Sequence, residues 1–290
     1  MSAPVGLTQD ELRQIRRLHV QAGRRVDSLL AGDYRSAFKG TGMEFDEVRP
    51  YIAGDDVRRI DWNVTARTGE PFLKTFREER ELTLLMVLDV SGSVRFGGGG
   101  RDGYTDKRLQ LARVAGGMAY AALRSNDRVG LLTFSDRVEH YLPPRKSRGH
   151  GWAVIRSAFE VWPENGQTDI AGALSYASRV LKRRAVVAVL SDFISPRPYH
   201  DALSALARRH RVHAFLVHDP LEEALADVGL VTLYDAETHR VRTVDAGRFG
   251  ALPSIDERLR ELRRSGTRAS AISTAEDAFF RLQQHFRGAR

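Results

Sequence analysis

Three separated segments carry the residues best suited to chemistry. Asp89, Ser91 and Ser93 alternate in Asp89-Val-Ser-Gly-Ser93, Thr168 stands directly before a helical stretch, and Asp192 closes the pair Ser191-Asp192. Two carboxylates and three hydroxyls are hard oxygen donors. That set suits Mg2+, with Mn2+ or Ca2+ as alternates, and does not suit Zn2+ or copper. The alternate spacing points the first three side chains the same way if the loop is extended. Neutral hydroxyls leave a divalent cation under-neutralised, so an open position attracts a carboxylate from elsewhere. The chemistry implied is the gripping of an acidic group. Taken singly, each residue has an ordinary explanation: a polar strand end, a helix cap, a turn.

Other constellations are weaker. Glu44, Asp55, Asp56 and Asp61 are carboxylates of the kind used in acid–base catalysis. They alternate closely with Arg49, Arg58, Arg59 and Arg67, which favours ion pairs that hold an irregular segment together. Trp62 is read as core or as an anchor. Glu44, Arg49, Asp55, Asp56, Arg58, Asp61 and Trp62 together form a candidate partner-binding set. Gly97 to Gly100 lack the Lys-Ser/Thr of a phosphate loop, and neither H-E-x-x-H nor G-x-S-x-G occurs. Ser91 has no evident histidine partner. A non-enzymatic binding module is therefore expected. The alternative is a phosphohydrolase using the same cation as Lewis acid, against which the hydroxyl-rich shell argues.

The elements that must position these residues follow from apolar patterning. Leu82–Leu88, Val129–Phe134, Ala185–Leu190 and Val212–Val217 are apolar runs of buried-strand length. Val138–Leu142 fits as a hairpin partner of the second. Leu111, Val114, Ala115, Met118, Ala119 and Ala122 recur at helical spacing, as do Ile170, Ala173, Leu174, Ala177, Val180 and Leu181. Further helices are expected over 152–161, from Tyr199 to Ala207, from a Ser254/Glu257 capping box, and after Thr274 as cap. Leu230–Tyr234 and Val241–Val244 resemble an edge hairpin, and Ala269–Ile272 a last strand. Strands alternating with helices predict an α/β, doubly wound, mostly parallel sheet with helices on both faces. Ligands bind such sheets beyond the carboxyl ends of the strands, where Asp89 and Asp192 fall. Residues 8–31 read as an arginine-rich helix capped by Thr8 with Glu11, and Gly32–Glu79 as loops and short strands. The expected division is 1–80 as an N-terminal extension and 81–290 as the α/β domain.

The 290 residues are 42% hydrophobic and 28% charged, with a net charge of +8, so a substantial core is available. The basic residues are spread along the chain among acids, which argues against nucleic acid. With no cysteine, disulfides and thiolate sites are excluded. No secretory signal is evident, and no run approaches the ~18 apolar residues of a membrane span. A cytoplasmic protein is expected. His210 and His213, near the start of the fourth strand, are read as surface and half-buried.

The D-x-S-x-S pattern at 89–93 with Thr168 and Asp192 resembles the metal-ion-dependent adhesion site of von Willebrand factor A domains. The resemblance implies Mg2+ bound directly by Ser91 and Ser93, by Thr168 directly or through water, and by Asp89 and Asp192 through water. Gly40-Thr-Gly-Met-Glu-Phe45, Glu47-Val-Arg-Pro-Tyr51, Gly54-Asp-Asp-Val-Arg58, Ile60-Asp-Trp-Asn63, Ala66-Arg67, Leu216-Val-His-Asp219 and Leu233-Tyr-Asp-Ala-Glu237 resemble the signature of the domain of unknown function 58 family. That resemblance implies an adaptor or co-chaperone of a MoxR-type AAA+ ATPase, with the ATPase or its client as partner. Some members of the family carry transmembrane helices near the N-terminus, and this chain shows none.

Overall fold

A run of apolar residues buried on both faces gives the molecule its central strand. The computed structural model describes residue 34 and residues 43–78, 82–95, 106–160, 166–224, 230–234, 241–245 and 253–288. The expected helix over 8–31 and the glycine loop from Phe96 to Tyr104 lie outside them. The chain divides into two compact units, Phe38–Leu82 and the remainder. In the smaller unit, β1 (Met43–Pro50) pairs antiparallel with β2 (Phe72–Glu78), and α1 (Trp62–Thr68) lies between them in sequence.

The larger unit is built on β3 (Thr83–Asp89), β4 (Arg128–Phe134), β5 (Val138–Arg145), β6 (Val186–Ser191) and β7 (Arg211–His218). β8 (Leu230–Tyr234) and β9 (Val241–Asp245) form a separate antiparallel pair, and β10 (Arg268–Ser273) joins the main sheet. The six-stranded order is β10-β7-β6-β3-β4-β5, all parallel except the β4–β5 hairpin. The fold is therefore α/β with a mostly parallel sheet. Its helices are α2 (Lys107–Arg124), α3 (Arg148–Glu160), α4 (Ile170–Val180), α5 (His200–Arg209), α6 (Pro220–Ala224), α7 (Ile255–Arg264) and α8 (Ala278–Arg287).

Strand alternation sorts the helices into two layers. Leu85 and Val87 of β3 pack in one cluster with Ile170 and Leu174 of α4, Leu203 and Leu206 of α5, and Leu259 and Leu262 of α7. Leu84, Met86 and Leu88 face the other way and are fully buried. α2 contacts the sheet too, and packs with α3 and α8, its Gly116 beside Phe159 and its Gly117 beside Phe279 and Leu282. Each buried Leu or Val contributes roughly 2 kcal/mol. That supply of apolar burial is what can hold a strand whose last residue is a buried carboxylate.

The caps agree with the expectations at α7, where Ser254 and Glu257 form a full capping box. At α8 they do not: Asp277 is the cap, and its carboxylate accepts from Phe279 and Phe280. The Thr274 hydroxyl is spent instead on Asp219, to which it donates at 2.7 Å.

His210, read as surface, and His213, read as half-buried, are both buried. His210 ends α5, where its Nδ1 accepts from the Ala185 amide at 3.3 Å, and His213 lies in β7. β7 is covered on both faces, so its alternation exposes neither side. His213 Nδ1 lies 2.7 Å from His285 Nε2, and His285 Nδ1 lies 2.6 Å from Ser270 Oγ. A second proton would set two donors facing each other. Burial first, and then nearby arginines, hold the His285 imidazole down to about 3; burial does the same to His213, well below its usual value. Both groups stay neutral in the fold but accept a proton near pH 6.5 once unfolded. Stability is full above that value and falls as pH drops below it. His285 alone is expected to cost about 2 kcal/mol between pH 7 and 5. Urea midpoints at the two pH values check this, and equal midpoints would refute it.

Candidate functional site

The site begins where the sheet reverses direction. β3 leads through α2 to β4 on one side, while β6 lies on its other side. The carboxyl ends of β3 and β6 are thus adjacent at a switch point, where the divergence of the connections leaves a crevice. Asp89 is the last residue of β3 and Asp192 follows β6 directly.

Local hydrogen bonds fix the loops. Asp89 Oδ1 accepts from the Ser91 amide at 2.9 Å, which turns the chain so that Ser91 Oγ sits 3.1 Å from Ser93 Oγ. Asp89 Oδ2 accepts from Ser191 Oγ at 2.6 Å, tying β3 to β6. The Thr168 segment is drawn in by the Gly92 amide donating to Gly166 O at 2.6 Å. The Asp169 amide adds a bond to Ser135 O at 2.8 Å. Asp169 caps α4 through the Gly172 amide, and Thr168 just before it is buried. Asp89, Ser91 and Asp192 are buried as well, and Ser93 is half-buried. The structure thus brings all five sequence-derived residues to one end of the sheet.

Residues that sequence patterning missed complete the cluster. Lys107, the first residue of α2, is 1% exposed. Its Nζ donates to Asp192 Oδ2 at 2.8 Å and to Glu222 Oε1 at 2.5 Å. The guanidinium of Arg258 donates to Asp192 O. Asp192 Oδ1 takes the Ile194 amide at 3.1 Å. That turn places Phe193 at φ 55°, a left-handed conformation costly for a bulky residue. The strain is offset by the buried Phe193 ring against Tyr199 and by the Phe193 amide bonding Ser191 Oγ at 2.8 Å. The sequence did not single out Lys107: a cation in the first turn opposes the helix dipole, but only its burial in the fold demands carboxylate partners.

Electrostatics follow from burial. Desolvation first, and then the Asp192 charge, raise the Asp89 carboxyl to about 7, against the hydrogen bonds from Ser191 and Ser91. Burial pulls the Lys107 ammonium down, but Asp192 and Glu222 outweigh it and hold it above its ordinary value. Three carboxylates, Asp89, Asp192 and Glu222, stand against two cations, Lys107 and Arg258. With Asp89 ionised the cluster carries an excess of negative charge. Among the described residues no group of three or more His, Cys, Asp or Glu is arranged to hold a metal ion. A cation here would rest on Ser91, Ser93 and Thr168 with the two aspartates, and hard oxygens beside a buried carboxylate fit Mg2+.

The seven candidate partner-binding residues lie in the smaller unit, and most of the acids there have structural work. Arg49 and Asp55 form a two-pronged pair at 2.7 Å for each bond. Asp56 accepts from the Arg58 amide and caps the short turn Val57–Arg59. Asp61 caps α1 and pairs with Lys74 at 3.1 Å. Burial raises the Asp61 carboxyl, but Lys74 and two amides outweigh it and hold it below its usual value. Glu44 stands opposite Arg77 in the β1–β2 ladder. Trp62 is not core: it is 69% exposed at the first position of α1, and Arg58 is exposed too.

Residues 47–263 match the family described as protein of unknown function DUF58. The uncharacterized protein Rv1480 of Mycobacterium tuberculosis (strain ATCC 25618 / H37Rv) is 33% identical over 266 residues, covering 91% of this chain and 79% of that one. The conserved hypothetical protein BatB from Bacteroides thetaiotaomicron has a similar fold, with TM-score 0.50 and 15% identity over 72% of this chain and 98% of that one. A weaker likeness, TM-score 0.43 and 11% identity over 72% of this chain and 95% of that one, is to the SpRpn10 VWA domain. No helix of the described residues is long and apolar enough to cross a membrane.

Proposed function

The chain belongs to the DUF58 family, and from that premise we propose that it is a metal-dependent protein-interaction module that captures an acidic group of a partner. Mg2+ would be held by Ser91, Ser93 and Thr168, with Asp89 and Asp192 behind them. The observation that carries the reading is the convergence of buried hydroxyls and carboxylates at the β3–β6 switch point. A divalent cation there would convert the cluster's excess negative charge into a net positive one. The hydroxyl ligands are neutral, so the balance is restored by an anion from outside. The protein is then a binder and not an enzyme, and works in the cytoplasm. The partner that the family resemblance implies is a MoxR-type AAA+ ATPase or its client. Arg58 and Trp62, exposed on the smaller unit, offer it a second point of contact.

The test is a pull-down of a purified MoxR-type ATPase from the same source on the immobilised full chain. EDTA in place of Mg2+ is expected to abolish capture, and Ser91→Ala with Ser93→Ala should do the same in Mg2+. Undiminished capture in both arms would sink the reading.

A further inference from the structure

We propose that Lys107 is a resident counter-cation of this centre: it holds the Asp192 carboxylate in the metal-free protein, and a divalent cation must compete with it for that group. The inference rests on the metal reading above and adds to it what sets the affinity of the site.

The placement of Lys107 is costly in two ways. It heads α2, where the helix dipole repels a cation, and it is buried almost completely, so its ammonium has lost its water. What compensates is Asp192 at 2.8 Å and Glu222 at 2.5 Å. These partners come from the ends of different strands, Asp192 after β6 and Glu222 four residues past β7. One ammonium therefore bridges the segments that follow β6 and β7. Both carboxylates are held on their other oxygen by a backbone amide, Asp192 by Ile194 at 3.1 Å and Glu222 by Asp219 at 3.4 Å.

A divalent cation at Ser91 and Ser93 needs Asp192, whether directly or through a bound water. It then presses on a carboxylate that already carries an ammonium, in a pocket with little water to screen the repulsion. The expected result is weak Mg2+ binding by the isolated chain. An acidic group on a partner adds the negative charge that offsets both cations, so cation and partner bind better together than apart. A purely structural Lys107, tying α2 to the sheet, makes the opposite prediction: its loss would disorder Asp192 and weaken Mg2+ binding.

The experiment measures Mg2+ binding to the full chain by calorimetry and by the rise of the thermal midpoint with Mg2+. Lys107→Met is compared with the double variant Lys107→Met/Glu222→Gln, which leaves no unpaired Glu222 and keeps the net charge. Lys107→Met is expected to bind Mg2+ about tenfold more tightly than the unaltered protein, a factor in keeping with the loss of a nearby like charge, and the double variant about threefold, since Glu222→Gln also removes a carboxylate of the cluster. Should Lys107→Met fail to fold, the double variant alone decides. Unchanged or weaker binding in the folded double variant overturns the role of Lys107, while the metal reading stands if the unaltered protein binds Mg2+ and Ser91→Ala/Ser93→Ala does not. Absence of Mg2+ binding in every form overturns both.

Discussion

Asp89→Asn is expected to stabilise the metal-free protein at pH 8 and to abolish its response to Mg2+. The Asp89 carboxyl is fully buried at the end of β3, and burial with the Asp192 charge lifts it to about 7. Its ordinary value when the chain unfolds is about 3.9. Between those two values the folded state holds a proton that the unfolded state has released, so this group makes stability rise as pH falls. Above pH 7 the ionised group carries its full cost, about 4 kcal/mol at most. Asparagine removes the charge but keeps an oxygen for the Ser91 amide, and the Ser191 hydroxyl can turn to accept from the new amide. A net gain of about 2 kcal/mol, or a midpoint higher by roughly 5 °C, is expected in EDTA at pH 8. The same substitution takes the charge from behind the cation, and Mg2+ affinity should fall by about a hundredfold or more, the order of losing one buried charge partner. Thermal melts with EDTA and with saturating Mg2+ check both halves. A lower midpoint for Asp89→Asn in EDTA would show that the buried charge is not the burden described. The histidine pair acts in the opposite direction below pH 6.5, so melts at pH 7 and above isolate Asp89.

The parts of this site that were legible in the sequence are those set by a buried strand. Leu82–Leu88 and Ala185–Leu190 are apolar on both faces, which fixes them as interior strands of a parallel sheet. The residues following them must then emerge at one edge. Thr168 was legible for a related reason, since it stands before a helix with an unbroken apolar stripe. What was not legible depends on which of several equal partners a polar group chooses. Thr274 and Asp277 are both good caps three residues apart, and only the position of Asp219 decides that the threonine hydroxyl goes elsewhere. Lys107 looks like any basic residue near a helix until the ends of β6 and β7 bring carboxylates to it. Trp62 shows the same limit for burial. An aromatic residue is usually covered, but here Leu73 is buried in the small unit while Trp62, at the first position of α1, is left 69% exposed.

Gly130→Ala tests how rigidly the far side of the sheet supports the site. Gly130 lies in β4, opposite the edge strand β5 with its Pro143 and Pro144. Edge strands tolerate proline because its missing amide costs no ladder bond there. The proline ring, however, needs room, and the β4–β5 register shifts between Val129 and Leu131. A Cβ on Gly130 would lie 2.7 Å from Leu142 O and 2.7 Å from Pro144 N. These are backbone atoms, so no rotamer change relieves the clash, and the strands must part. A loss of about 3 kcal/mol is expected, at the upper end of overpacking costs. Gly149→Ala in α3 is the control, because nothing lies within 4 Å of its Cβ, and alanine should be neutral or stabilising by up to about 1 kcal/mol. The damage should also reach the site. The carboxyl end of β4 holds the Val90 amide through Phe134 O at 2.9 Å and the Asp169 amide through Ser135 O at 2.8 Å. Splaying β4 from β5 shifts both anchors, one on each side of the hydroxyl ligands. Urea midpoints should therefore drop for Gly130→Ala and not for Gly149→Ala, with Mg2+ binding weakened only in the first. A Gly130→Ala protein as stable as the original would show that β5 moves away without cost, and that the loops of the site do not depend on it.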